Sequence, residues 1–544
     1  MHLTAPSNWS RSIGTGGRDP SERVVTIVGM RTGQAGGLRF DENRTNVYKL
    51  YRATRCGPDS SVDPREQVAF YDPGLGSPAD GSHLEWRILR WIHNKIAQAT
   101  GFGITRNIID CYAALIQLWE PGDRIFLFGF SRGAYTVRCL AGVIAFCGIP
   151  RHPPKEPDRP LKIDSSSAES LAAYAVRHVY QFTYSRPMAH ATPRQKFLLE
   201  TRAKVAARFR TDCGSGSGTD LANVYPHFIG VFDTVAALGN PVTTLMFSAI
   251  FLLFAAALGS IGQFLSLFDD APVVGWIFGY LTFGYVFGGI LVAALLSSIG
   301  LYVATHLRWD FAVPGHDRWK SIKTAHFNEL WMKFYDYDLN PNVGYARHAI
   351  SIDENRANFA RVPWYSAKET SHDQFGLQWF EQVWFSGVHA DIGGGYLENE
   401  SRLSDTTLNW MLQWASLVPG GIKYDRDVLV RWPFPDGLQH DEVKRGWGLA
   451  TALLGLTWNE RRRELPSHNA VMHRSVYERF DLKAVPIYDE MRAYRPQTLA
   501  SHSDFARYYQ AGAPFPADST ETATSMADNP QVIAARLMKG NIAT

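Results

Sequence analysis

The chain has 544 residues, 45% of them hydrophobic, and a formal charge of +3 at neutral pH. That length predicts two to three structural regions around a large core. So small a charge, with Lys and Arg spread along the chain, excludes the basic footprint of a nucleic-acid binder. The five cysteines, Cys56, Cys111, Cys139, Cys147 and Cys213, are unevenly spaced and form no C-x-x-C pair. An odd number without such pairing predicts free thiols in a reducing compartment.

Residues 1–22 are polar, lack the apolar segment of a secretory signal, and predict a disordered tail. A first strand is expected at Arg23–Val28 and a second at Gln67–Tyr71, followed by helices at Gly81–Ala99 and Asn107–Trp119. The last helix feeds a strand-forming run, Arg124-Ile125-Phe126-Leu127-Phe128. Directly after it comes Gly129-Phe130-Ser131-Arg132-Gly133, and then the helical pattern from Ala134 to Leu140. Strand, sharp turn and helix around a serine make a nucleophile elbow, in which small residues two before and two after the serine let the backbone turn and expose Oγ. In a chain with 46 glycines the pentapeptide alone arises by chance, so its flanks carry the assignment. Strand and helix alternate onward to Asp233, which predicts an α/β fold: a mainly parallel, α/β-hydrolase-like sheet with helices on both faces.

No charged residue lies between Asp233 and Asp269, nor between Asp270 and Arg308. Each gap exceeds the ~20 residues that cross a bilayer as a helix. The apolar stretches Thr244–Leu267 and Val273–Val303 therefore predict a two-helix transmembrane hairpin at 241–305. Its turn, Asp269-Asp270-Ala271-Pro272, is acidic, whereas Arg308, Arg318, Lys320 and Lys323 follow the second arm. That bias places the turn outside and the bulk of the chain in the cytoplasm. A buried core hairpin, or one dipping into a single leaflet, is the alternative.

A serine hydroxyl needs an imidazole to take its proton, and the imidazole needs a carboxylate to fix its tautomer. In the hydrolase fold the chain order is serine, acid, histidine. Asp233 ends the strand-like run His227–Phe232 and is the candidate acid, its alternative being a helix N-cap before Thr234-Val235. His389 is the candidate base, in a glycine-rich loop after the strand that ends near Phe385; His348 and His473 are rivals. Asp391 is a candidate supporting residue. His389 and Asp391 also read as a metal fragment, but a third ligand at suitable spacing is missing, so neither metal nor cofactor is expected.

The segments GFSRGAYTVR, GVFDTVAALG, RHAISIDENRANF and WFSGVHADIGGGYLENESRLSD resemble a domain-of-unknown-function hydrolase family that includes type VI secretion lipase effectors with phospholipase activity. Supporting stretches are TNVYKLYRA, FYDPGLGS and MHRSVYERF, so the resemblance runs with interruptions from about residue 23 to about residue 480. It implies Ser131 as nucleophile, Asp233 as triad acid and His389 as base. The family usually carries an Asp-Gly-Thr loop after the first strand. Here Val28 stands where the acid would be, followed by Gly29 and Met30. The backbone amide of Arg132, with that of Gly29 or Met30, is the expected oxyanion hole.

The expectation is a membrane-associated serine esterase acting on phospholipid or another acyl lipid, integral to the membrane or delivered to a target-cell membrane. Expected partners are the lipid substrate and the bilayer, not nucleic acid; an immunity or secretion partner is left open. Residues 23–240 and 306–510 form the two parts of the hydrolase domain, the second with a C-terminal helical extension, and 511–544 a flexible tail. Two other readings stay open: a catalytically impaired scaffold, because of Val28, and a membrane-disrupting toxin acting through the hairpin.

Overall fold

A computed structural model describes residues 24–29, 44–72, 102–161, 165–184, 191–217, 221–235, 252, 255–257, 259–260, 272–309, 324–327, 337–366, 371–443 and 460–509. Both predicted tails, the predicted helix Gly81–Ala99, Met30 and almost all of the first hairpin arm lie outside these residues. All five cysteines are free thiols.

The core is a six-stranded sheet of β1 (Val24–Gly29), β2 (Gln67–Asp72), β3 (Arg124–Phe130), β4 (Phe228–Phe232), β7 (Tyr345–Ser351) and β8 (Phe380–Phe385). Their order is β2-β1-β3-β4-β7-β8 and every pairing is parallel. Two-residue strands β5 (Leu307–Arg308) and β6 (His326–Phe327) pair apart from it, as do β9 (Val485–Ile487) and β10 (Glu490–Arg492). The architecture is thus an α/β fold with a parallel central sheet.

Parallel strands buried on both faces read as continuous apolar runs, and β3 shows why. Successive side chains point to opposite faces. Ile125 and Leu127 join a core layer with helices α2 (Phe102–Leu118), α3 (Arg132–Cys147) and α4 (Ser165–Tyr174), through residues such as Tyr112, Leu140 and Leu171. Phe126, Phe128 and Phe130 enter the opposite layer, with Val47 and Leu50 of α1 (Asn46–Thr54) and Leu408, Met411 and Trp414 of α8 (Arg402–Leu417). Each fully buried phenylalanine contributes about 1.5–3 kcal/mol. A longer helix, α5 (Pro193–Asp212), opens on a Thr192–Gln195 capping box and packs against α3.

A third apolar cluster joins Ile350 and Trp384, at the ends of β7 and β8, to Met472, Phe480 and Tyr494. Trp384 donates its backbone N–H to the Val471 carbonyl, so the chain near Met472 runs along β8 before α9 (Arg474–Asp481). This seats the segment 460–509 beside the carboxyl ends of β7 and β8.

Helix α6 (Pro272–His306) is 35 residues long. Its stretch Tyr285–Ala304 is the one described helix long and apolar enough to cross a membrane. A hairpin is not seen among the described residues. Leu295, Leu296 and Ile299 are at least half exposed, an uncovered apolar surface that a water-facing helix does not ordinarily carry.

Candidate functional site

Ser131 follows β3 and precedes α3, with φ 61° and ψ −124°. A non-glycine residue in that region is held there by its surroundings. Its backbone N–H donates to the Phe232 carbonyl at the end of β4, 3.1 Å away. A Cβ on Gly129 would lie 2.4 Å from the Gly133 carbonyl oxygen, so the first glycine of the motif is required by close approach to the second. The elbow expected from the sequence is therefore present.

Asp233 follows β4 with φ 40° and is completely buried. Its N–H bonds the Ala349 carbonyl on β7 at 2.7 Å, and the chain continues extended to a bridge between Val235 and Arg361. The residues described after Asp233 are not helical, so the N-cap alternative has no helix there. Asp233 Oδ2 lies 2.5 Å from His389 Nδ1, joining positions 156 residues apart in sequence. Burial opposes ionisation of the Asp233 carboxyl, but the Arg463 guanidinium and the His389 ring outweigh it and hold the group well below the usual carboxylate range.

His389 departs from the expected loop. It opens a five-residue helix, α7 (His389–Gly393), because Asp391 accepts the Val388 N–H at 3.0 Å and closes a turn between the glycines on either side. The ring packs at a tilt against Phe130, 4.6 Å between centroids, and edge-to-face with Phe359 at 5.1 Å. Gly393 makes room for this: a Cβ there would lie 2.0 Å from the Phe130 ring. His389 donates its backbone N–H to Glu354 Oε2 at 3.0 Å. Its Nε2 is buried with no hydrogen-bond partner among the described residues, so Ser131 and His389 are not hydrogen bonded to each other. With Nδ1 donating to the carboxylate, Nε2 is the acceptor, the tautomer that a general base requires.

The other candidates fall elsewhere. His348 sits on β7 and accepts the Thr234 N–H, so it braces the residue after Asp233. Burial, with Arg138 and Arg361 nearby, pushes its pKa down to about 3. His473 caps α9 by accepting from the Ser475 N–H and stacks on Phe385; burial lowers it to about 4. Asp391 does not bond the His389 ring. It accepts from Val388 and from the His440 N–H, and its Oδ1 lies 2.7 Å from His440 Nδ1. Gly29 ends β1, while Met30 lies outside the described residues.

Sequence reasoning missed Arg463, which meets both carboxylate oxygens of Asp233, with Nη2 2.9 Å from Oδ2. Glu354 and Phe359 stand within the segment RHAISIDENRANF, quoted above only for its resemblance; no local pattern marked their contacts with His389.

Residues 30–265 and 309–414 match the family described as T6SS, Phospholipase effector Tle1-like, catalytic domain. The gap between the two matched stretches holds all of α6. The chain is 24% identical over 412 residues to the uncharacterized protein YEL023C of Saccharomyces cerevisiae, covering 70% of this chain and 55% of that one. Among solved structures it is similar to an uncharacterized protein from Pseudomonas aeruginosa, at 14% identity and a TM-score of 0.30, covering 76% of this chain and 48% of that one. It is also similar to the Tle1 effector in its structure bound to the VgrG spike from the type 6 secretion system, at 15% identity and a TM-score of 0.24, covering 74% and 57%. The chain spans about half the length of these relatives.

Proposed function

Because the chain belongs to the Tle1-like family of type VI secretion phospholipase effectors, matched through its catalytic domain, we propose that it is a serine esterase cleaving acyl ester bonds of membrane phospholipids. The observation that carries this reading is the 2.5 Å contact between buried Asp233 and His389, whose Nε2, without a hydrogen-bond partner among the described residues, lies on the ring packed against Phe130, the residue before Ser131.

His389 Nε2 takes the proton from Ser131 Oγ as the oxygen attacks the ester carbonyl carbon. The backbone N–H of Arg132, with that of Gly29 or Met30, holds the oxyanion. Since these donors are amides, Val28 in the family acid's place leaves them available. Collapse expels the alcohol portion of the lipid, which receives the proton from His389. Water, deprotonated by the same ring, then releases the fatty acid. Asp233, kept ionised, stabilises the imidazolium formed in each half.

The substrate's bilayer is the natural occupant of the uncovered face of α6. On this reading α6 inserts into the membrane through its stretch Tyr285–Ala304. Family membership favours delivery to a target-cell membrane. Vesicles of phosphatidylethanolamine and phosphatidylglycerol should release fatty acid with the wild type and not with Ser131→Ala; equal release by both overturns the esterase reading. Wild type should float with these vesicles, and the double variant Leu295→Asp, Ile299→Asp should not; equal flotation removes the membrane role of α6.

A further inference from the structure

The family match ends at residue 414, yet a residue of the later segment reaches the buried acid of the site. The backbone of that segment is fixed there. Glu460 bridges to Arg356, and the Arg461 N–H donates to the Asn355 carbonyl at 2.7 Å. From this anchor the Arg463 guanidinium reaches both oxygens of Asp233. Its Nη2 also donates to the Phe359 carbonyl at 2.8 Å and its Nη1 to the Ser351 carbonyl at 3.3 Å. The side chain is 5% exposed.

We propose that Arg463 is a positioning residue of the catalytic acid, fixing both Asp233 oxygens and offsetting part of the negative charge that the carboxylate presents to His389. This rests on the esterase reading above and extends it to a part of the chain that the family match does not cover.

The physical need is specific. A buried carboxylate facing an imidazole with no other counter-charge favours the charged ring, which cannot accept a proton from serine. A guanidinium on the same carboxylate weakens that preference. It also holds the carboxylate plane, since a planar fork meets both oxygens and an ammonium does not. Among the described residues, charged groups near the ring include Glu354, which accepts from the His389 N–H, and its partner Arg356; His348 lies behind Thr234. Glu354 already has Arg356 as its own counter-ion, so Arg463 is the cation directed to Asp233.

The test is the pH profile of kcat/KM for p-nitrophenyl butyrate hydrolysis by the full chain. Arg463→Met should move the acid limb up by about one unit, as removal of a nearby like charge does, and lower kcat roughly 10- to 100-fold through misplacement of the acid. Arg463→Lys should return the acid limb to its wild-type position while kcat stays reduced. An unmoved acid limb in Arg463→Met, with activity lowered equally at every pH, overturns the proposal in favour of a merely structural role. If that variant does not fold, Arg463→Lys decides: wild-type kcat, or an acid limb moved from its wild-type position, overturns it, whereas an unmoved limb with kcat reduced and KM unchanged supports it. Ser131→Ala on the same substrate separates the two readings. Its full activity would sink the esterase assignment, whereas its inactivity beside an unmoved Arg463→Met limb sinks only this inference.

Discussion

Replacing Asp233 by Asn tests the site's hydrogen-bond pattern with almost no change in volume. In the wild type, Oδ1 accepts from Arg463 and from the Ser351 N–H, and Oδ2 from Arg463 and the His389 ring. An amide has one oxygen and one NH2. Placing the NH2 at the Oδ1 position sets it against two donors, Arg463 and Ser351; placing it at the Oδ2 position sets it against one. The second arrangement wins and turns the NH2 toward His389 Nδ1. The ring must then accept at Nδ1 and carry its proton on Nε2, the wrong tautomer for taking a proton from Ser131. A wrong tautomer of this kind costs about 10⁴-fold in kcat, equivalent to roughly 5 kcal/mol of barrier. Loss of the carboxylate charge also leaves a buried guanidinium poorly paired, at about 3 kcal/mol of stability. Ester hydrolysis and chemical denaturation, both at pH 7, measure the two effects. A loss of less than tenfold in a folded Asp233→Asn protein would show that Asp233 does not set the His389 tautomer.

Gly393→Ala places a methyl against the Phe130 ring that packs on His389. It should cost about 1–3 kcal/mol in denaturation and lower kcat more than it raises KM; unchanged kinetics would show the ring stack to be dispensable. His440 has its pKa raised: burial alone would lower it, but Asp391 and Glu400 outweigh burial. Its folded value lies above the unfolded 6.5, so the stabilisation is full below 6.5 and is lost as pH rises through the folded value. His440→Asn should therefore be less stable than wild type by roughly 1.5–3 kcal/mol at pH 5.5 and approach it at alkaline pH, measured by denaturation; a constant difference across pH would be the contrary result.

The elbow was legible because its evidence is local: five strand formers, a tight turn and a helix adjoin in sequence. Asp233 and His389 were legible by position, each following a buried strand at one edge of the sheet. The short helix at His389 was not, since glycines on both sides read as loop and only the Asp391 cap closes the turn. Helix α2 begins at Phe102, five residues before its expected start at Asn107. Gly103 disfavours helix by propensity, but burial of Ile104 and Ile108 against the core overrides it. Arg463 was hidden for another reason. It lies 230 residues from Asp233 among three consecutive arginines, and nothing local marks which of them turns inward.

On the esterase reading, Ser131 is a nucleophile activated by His389. Treatment of the full chain with a fluorophosphonate, followed by peptide mass spectrometry, measures it directly. One phosphonyl adduct is expected, on Ser131, formed in the wild type and lost in His389→Ala. An unlabelled Ser131 in folded wild-type protein would contradict it.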